Sequence, residues 1–386
     1  MKSTLYLPEG VEDLLHPDAW RFEQFRRKVL DLFVRWGFEY VEPPVIEYLD
    51  ALLIASSDDL DLQTLKVLDQ ASGRQLGIRA DLTSQVIRID RQRYGAHGIQ
   101  RYCYAGPVVY ASSLTASKSR VPFKAGAEIF GAGNVVADAE VVNLMLEVAR
   151  MSGIVEPVLL LGHMGVYKSL IEALLEAGDL APEDEPRLFR SVQLKSQSDV
   201  GRLLKESQLS DFMKKLPMTM SNELDVIAAE LVGAPEGVEQ AVAELRELLE
   251  LIDISAASLR FDVAELTGYG YHNGPVYSLY HPKFGSALAQ GGRYNGLAYA
   301  DEDRPAAGFD MDLRMFVEEI KPNVEELIFA PFGEQDNRSD LMALVVELRD
   351  EGKNVVCALT SNEQAPNSCT HYLSYQSGKW TVAELV

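Results

Sequence analysis

Two strand-like runs constrain this chain more than any other feature. Gly98–Tyr110, "GIQRYCYAGPVVY", and Val121–Gly131, "VPFKAGAEIFG", are rich in aromatic, branched and small residues, with the polar stretch Ala111–Arg120 between them. Such runs favour a pleated, half-buried surface. Their spacing predicts an antiparallel pair joined by a long loop. Further strands are expected at "SLRFDVAEL" (258–266), "PVYSLYHP" (275–282) and "SALAQGGRYNGL" (286–297). A mainly antiparallel sheet of this kind excludes a doubly wound dinucleotide fold and predicts an α+β protein.

Helices flank these strands. Phe22, Phe25, Val29, Leu32, Phe33 and Trp36 recur at three- and four-residue steps and form one apolar stripe, ended by Gly37. Val141, Leu144, Met145 and Val148 share a second helical face. "FEYVEPPVIEY" (38–48) is a strand broken by Pro43-Pro44, and it belongs at a sheet edge or an interface because proline cannot donate to a ladder. Residues 75–94 read as strand, short polar loop and helix, and "EPVLLLGHMG" (156–165) as a buried strand. Residues of about 166–256 read as an inserted helical segment, with the stripe Val238, Val242, Leu245, Leu249, Ile252. "GFDMDLRMFVEEI" (308–320) is expected to open a helix. A small α/β unit follows from about 325, with a hairpin turn at Ser377-Gly378. The expected organisation is a core domain over 1–320, carrying that helical insert, and a small α/β domain over 321–386.

Composition narrows the function. With 36 basic against 58 acidic residues the net charge is −22, unfavourable for a phosphate backbone. Three dispersed cysteines suit a reducing compartment. No CxxC or HExxH is present and the six histidines are scattered, which argues against zinc; no metal or cofactor is expected. No apolar run approaches a membrane span, and the N-terminus lacks a secretory layout, so a cytoplasmic location without membrane contact is expected.

Several constellations carry two readings each. Gly131-x-Gly133 lacks the third glycine of a phosphate cradle, since Val136 stands there, and reads as a turn. Gly291-Gly292-Arg293 permits close approach of a ligand, or of another backbone beside a structural arginine. Asp81 and Thr83 in "RADLT" can grip an ammonium group or cap a helix. Glu128, in an apolar strand, needs a partner, either a ligand or an internal arginine. Tyr271 and His272, in "TGYGYHNG", can line a flat pocket or pack as an aromatic turn.

"LPEGVEDLLHPDAWRFEQFRRKVLDLFVRWGFEYVEPPVIEY", "RADLTSQVIR", "QRYCYAGPVVY", "FKAGAEIFG", "GYGYHNGPVYSLY" and "GGRYNGL" follow one another in the order seen in class II histidyl-tRNA synthetases and their paralogues. The resemblance runs to about Ile320 and implies the class II synthetase-like antiparallel sheet flanked by helices. It also shows what is missing. Tyr110, Thr267 and Met315 stand where the synthetases carry three arginines that handle ATP, and Ser112 stands where they carry an acid. Tyrosine, threonine and methionine cannot supply a bidentate, always-charged phosphate clamp. No catalytic residue is therefore expected.

The chain thus resembles the paralogues that regulate ATP phosphoribosyltransferase in histidine biosynthesis. That resemblance implies a short-form catalytic subunit as partner, in a hetero-octamer of four plus four chains. It further implies self-dimerisation, L-histidine as effector, and no tRNA. A histidine pocket would place Asp81 and Thr83 at the amino group and Glu128 at the imidazole, with Tyr271 beside it; Lys124 replaces a family glutamine and His272 a family tyrosine. A divergent histidyl-tRNA synthetase and a stand-alone histidine-binding module are the alternatives.

Overall fold

The computed structural model describes residues 6–53, 58–93, 98–112, 119–266, 272–297, 303–320, 326–334 and 336–385. It divides into two compact units, Met1–Lys321 and Pro322–Val386.

The first unit opens with α1 (Asp18–Arg35), followed by short strands β1 (Glu39–Tyr40) and β2 (Ile46–Tyr48) and short helices α2 (Leu49–Leu52) and α3 (Asp58–Gln63). Next come β3 (Leu65–Leu68), β4 (Gln75–Ile78), α4 (Thr83–Arg93), β5 (Gln100–Pro107), β6 (Phe123–Phe130), α5 (Val135–Ser152) and β7 (Val158–His163). The helical stretch holds α6 (Met164–Glu176), α7 (Glu185–Gln193), α8 (Gln197–Leu203), α9 (Gln208–Lys215), β8 (Met220–Ser221), α10 (Leu224–Glu230) and α11 (Glu236–Leu251). Four strands close the unit: β9 (Ser258–Asp262), β10 (His272–Tyr280), β11 (Ala289–Leu297) and β12 (Asp303–Asp312).

Nine of these strands form one sheet in the order β1-β5-β6-β12-β11-β10-β7-β9-β8. Only the β1–β5 and β7–β9 pairs are parallel. The expected pair is β5 and β6, in register from Gln100 opposite Phe130 to Pro107 opposite Phe123. The Pro43-Pro44 segment follows β1 at the sheet's edge. Arg79 holds it there, donating to the Pro43 carbonyl at 2.6 Å and to the Pro107 carbonyl at 2.8 Å.

Alternate residues of the sheet face opposite ways. Cys103, Ala125, Ala127, Ile129, Ala307, Phe309 and Met311 enter the main core with the buried stripe of α1 and with α5. The helices of 164–251 share this core: Leu188, Val192, Val200, Met213 and Leu245 belong to the same cluster as the sheet. That stretch is not wholly helical, since β8 pairs with β9.

One expectation fails. The segment 308–320 does not open as a helix. Its first half completes strand β12, and a short 3-10 turn (Leu313–Phe316) follows, started by the Asp312 carboxylate accepting from the Arg314 N–H at 3.1 Å. Buried Phe309 and Met311 alternate with Gly308, Asp310 and Asp312, a period of two.

The second unit contains β13 (Leu327–Ala330), α12 (Arg338–Asp350), β14 (Asn354–Cys357), β15 (His371–Gln376) and β16 (Lys379–Glu384), with sheet order β14-β13-β15-β16. Leu341, Val345 and Leu348 of α12 pack on Ile328, Val355 and Leu373. Ser377 and Gly378 both adopt left-handed backbone, φ 51° and 81°, at the turn between β15 and β16. Two left-handed residues are what a tight hairpin turn requires.

Candidate functional site

The second face of the large sheet carries the polar residues. Lys124, Gly126 and Glu128 of β6 lie opposite Asp312, Asp310 and Gly308 of β12, and opposite Gly106, Tyr104 and Tyr102 of β5. Leu82, Val86 and Ile87, at the start of α4, pack on Tyr102, Phe130 and Tyr294 of this face. Glycine is needed at Gly308 because the Glu128 carboxylate occupies the space a Cβ would fill, and at Gly126 because the Tyr104 ring does.

Glu128 is 1% exposed, and its hydrogen-bond partners do not include the internal arginine considered from sequence. Three hydroxyls surround its carboxyl group. Thr83 Oγ1 donates to Oε1 at 3.0 Å, Tyr104 Oη to Oε1 at 3.2 Å, and Tyr294 Oη to Oε2 at 2.8 Å. No arginine or lysine is among them. Burial pushes the Glu128 carboxyl up to about 8, against the pull of these donors, and the charge of Asp81 adds to the rise. At neutral pH burial therefore favours the protonated, neutral form of this group.

In the "RADLT" segment the capping reading holds at Asp81, while Thr83 takes a partner on β6. Asp81 caps α4, accepting from the Ser84 N–H at 3.2 Å. Thr83 reaches the Glu128 cluster. Burial raises the Asp81 carboxyl, and the nearby charge of Asp310 raises it further.

Lys124 pairs with Asp310 of β12, not with Asp81 or Glu128. Burial works to lower the Lys124 ammonium, but Asp310, Tyr110 and Asp312 outweigh it and hold the group above its ordinary value. The two side chains keep 22% and 28% of their surface accessible, so the pair is not sealed within the core. Tyr110 stands beside this pair, its phenol pushed up to about 12 by burial although Lys124 opposes the shift.

His272 joins the same face. It lies opposite Tyr294 with ring centroids 6.5 Å apart, and its ring covers Gly292. Lys168 of α6 donates to its carbonyl at 2.8 Å. Thr267 and Tyr271 lie outside the described residues. Met315 is half-buried against the main core, and Ser112 is exposed. Arg314, one residue before Met315, has a buried Nε with no hydrogen-bond partner among the described residues.

Arg293 takes the structural reading. Its Nε donates to Asp138 at 3.1 Å and its Nη1 meets Glu244 at 2.8 Å, tying β11 to α5 and α11. Burial lifts the Asp138 carboxyl to about 6 despite Arg293, whereas hydrogen bonding to His163 holds Glu244 at about 2. The glycine turn at Gly131 is likewise structural, with φ 84°, and Asn134 caps α5. Among the described residues, no three acidic, histidine or cysteine side chains are gathered as a metal site.

Tyr104, Tyr294, Asp310 and Arg304 escaped the sequence reading. A period-two alternation in "QRYCYAG" and "GFDMD" puts Tyr104 and Asp310 on the polar face, but the second stretch was read as helical. Tyr294 follows the arginine that drew attention in "GGRYNGL". Nothing local marks Arg304 or its partner Asp90.

Comparison with known proteins identifies the family of the chain. A family model described as histidyl-tRNA synthetase matches residues 10–316, and one described as the ATP phosphoribosyltransferase subunit HisZ C-terminal domain matches 325–383. The ATP phosphoribosyltransferase regulatory subunit of Ectopseudomonas mendocina is 38% identical over 389 residues, covering 98% of each chain. This chain belongs to the ATP phosphoribosyltransferase regulatory subunit family. Two solved structures share the α+β, class II synthetase-like fold of these regulatory subunits. One is described as an ATP phosphoribosyltransferase regulatory subunit/histidyl-tRNA synthetase from Bacillus halodurans, with TM-score 0.79, 23% identity and 94% coverage of each chain. The other is the histidyl-tRNA synthetase of Nostoc sp. PCC 7120, with TM-score 0.78, 14% identity and coverage of 99% and 97%.

Proposed function

We propose that this regulatory subunit is not itself an enzyme, and that it activates a short-form ATP phosphoribosyltransferase catalytic subunit and makes it sensitive to L-histidine. The catalytic partner joins ATP to phosphoribosyl pyrophosphate in the first step of histidine biosynthesis. The observation that carries the loss of aminoacylation is the Lys124–Asp310 pair beside Tyr110. At the strand end where an ATP-handling arginine is expected there is a phenol; of the cations nearby, Lys124 is engaged by Asp310, and Arg120 donates to the carbonyls of Tyr110 and Ala111. A phenol cannot give the bidentate contacts of a guanidinium.

The recess on the polar face remains as a binding site, with Asp81, Thr83, Lys124, Glu128 and His272 around it and Tyr271 beside it in sequence. Residues 1–320 serve as the synthetase-like core domain and 321–386 as a separate small domain. The latter carries five basic against ten acidic side chains, which disfavours tRNA. Self-association is supported by the edge strand β1 and by exposed Tyr40, Val45, Ile46 and Tyr48 near it. Assembly with the catalytic chain in a four-plus-four hetero-octamer, in the cytoplasm, completes the reading.

The test is phosphoribosyl-ATP formation by a short-form catalytic subunit, with and without this chain, and then with L-histidine. Activation reversed by histidine is the expected result. Absence of both effects, or histidine-dependent exchange of pyrophosphate into ATP by this chain alone, overturns it.

A further inference from the structure

The start of β10 departs from its ladder. His272 lies opposite Tyr294, but the next pair is Val276 with Gly292. Asn273, Gly274 and Pro275 therefore stand opposite Arg293 alone. Pro275 has no N–H to give, so the β10–β11 ladder does not hold this bulge by itself. Bulges re-aim side chains. The side chain at the edge of this one is His272, whose ring packs against Tyr294 and over Gly292. Tyr294 in turn donates to Glu128.

Side chains pin the bulge instead. Arg293 lies along Gly274, in the space a Cβ would need, and is itself fixed by Asp138 of α5 and Glu244 of α11. Asn273 donates to Asn295 Oδ1 at 2.7 Å. Lys168 of α6 donates through Nζ to the His272 carbonyl at 2.8 Å.

Lys168 differs from the other two in its chemistry. Its ammonium is half-buried, and burial holds it below its ordinary value although Glu172 opposes the shift. Among the described residues it makes no ion pair, and its hydrogen bond goes to a neutral carbonyl. A cation is costly to bury without a counter-charge, so this one is weakly compensated. The bond it makes is charge-assisted, about twice as strong as one between neutral groups. It is also a bond to main chain, so it fixes the first residue of β10 whatever side chain stands there.

Resting on the reading of the polar face as the histidine site, we propose that Lys168 is a positioning residue for that site. Through the His272 carbonyl it sets where the His272 ring stands against Tyr294. It brings the helical stretch of 164–251 into the histidine response without itself touching the effector.

Hydrogen–deuterium exchange of the full chain, alongside the phosphoribosyl-ATP assay with the catalytic subunit, tests this. Lys168→Met keeps the apolar stem and removes the donor, whereas Lys168→Arg keeps a charged donor. In Lys168→Met, exchange at the amides of Asn273, Gly274 and Val276 is expected to quicken about tenfold. The half-inhibitory histidine concentration, taken against each variant's own uninhibited rate, is expected to rise about tenfold as well. Lys168→Arg is expected to recover most of both. A merely structural lysine would quicken exchange throughout the first unit, whereas lost positioning confines the change to the start of β10. The proposal is overturned if Lys168→Met exchanges or responds to histidine as wild type does, if its exchange quickens throughout the unit, or if Lys168→Arg restores neither property. Should Lys168→Met fail to fold, the wild type decides: added L-histidine is expected to slow exchange at the start of β10, and no slowing overturns the idea. Failure of the regulatory role is a separate result, a wild-type complex that histidine does not inhibit.

Discussion

Glu128→Gln isolates the energetics of the recess. The wild-type carboxyl is raised from its ordinary 4.5 to about 8, with burial as the first cause. Between those values the folded chain holds a proton that the unfolded chain has released. Stability contributed by the protonated acid is therefore fully present below pH 4.5 and is lost as pH climbs towards 8. The slope is about 1.36 kcal/mol per pH unit for one proton, so the interval is worth about 5 kcal/mol. Glutamine has nearly the same shape, can still hydrogen-bond the hydroxyls of Thr83, Tyr104 and Tyr294, and does not titrate. The stability of Glu128→Gln minus that of wild type should thus become more positive with pH, by several kcal/mol between pH 5 and 8.5, and then level off. Urea denaturation of both proteins at half-unit pH steps measures this. A difference that stays flat across that range, or moves the other way, would refute the assignment of a neutral acid in the recess.

Two further predictions concern the scaffold. Arg304, 3% exposed, meets Asp90, 1% exposed, through Nε at 2.5 Å and Nη2 at 3.1 Å. Arg304→Ala strands a buried carboxylate and should cost about 3–5 kcal/mol in urea denaturation, whereas Arg304→Met with Asp90→Leu should lose much less. Leu245 of α11 is fully buried in the core it shares with the sheet. Leu245→Ala should cost about 2–5 kcal/mol and lower a single unfolding transition of the first unit, not a separate one for the helical stretch.

Periodicity within a short window made much of the fold legible. The α1 stripe at three- and four-residue steps became the buried residues Phe22, Phe25, Val29, Leu32 and Phe33. Aromatic and small residues in two neighbouring runs became the β5–β6 pair, and Ser377-Gly378 became a hairpin turn because few other residues tolerate left-handed backbone. The motif order from "LPEG" to "GGRYNGL" was enough for the family. Pattern also picked out Glu128 as a carboxyl group in need of partners.

Which partners it has was a question for the tertiary structure. Thr83, Tyr104 and Tyr294 arrive from α4, β5 and β11, at 45, 24 and 166 positions from Glu128. Asp310 reaches Lys124 across 186 positions and Arg304 reaches Asp90 across 214. The Lys124–Asp310 meeting depends on β12 lying beside β6, and the Tyr104–Glu128 meeting on β5 lying on its other side. Local propensity determines whether a segment is a strand. It carries no information on which strand lies beside it or which face is shared, because those follow from how the whole chain buries its apolar surface. The sequence by itself therefore determined that this chain has the synthetase-like fold. The tertiary structure decided that Lys124 meets Asp310 beside Tyr110, on the polar face of the sheet.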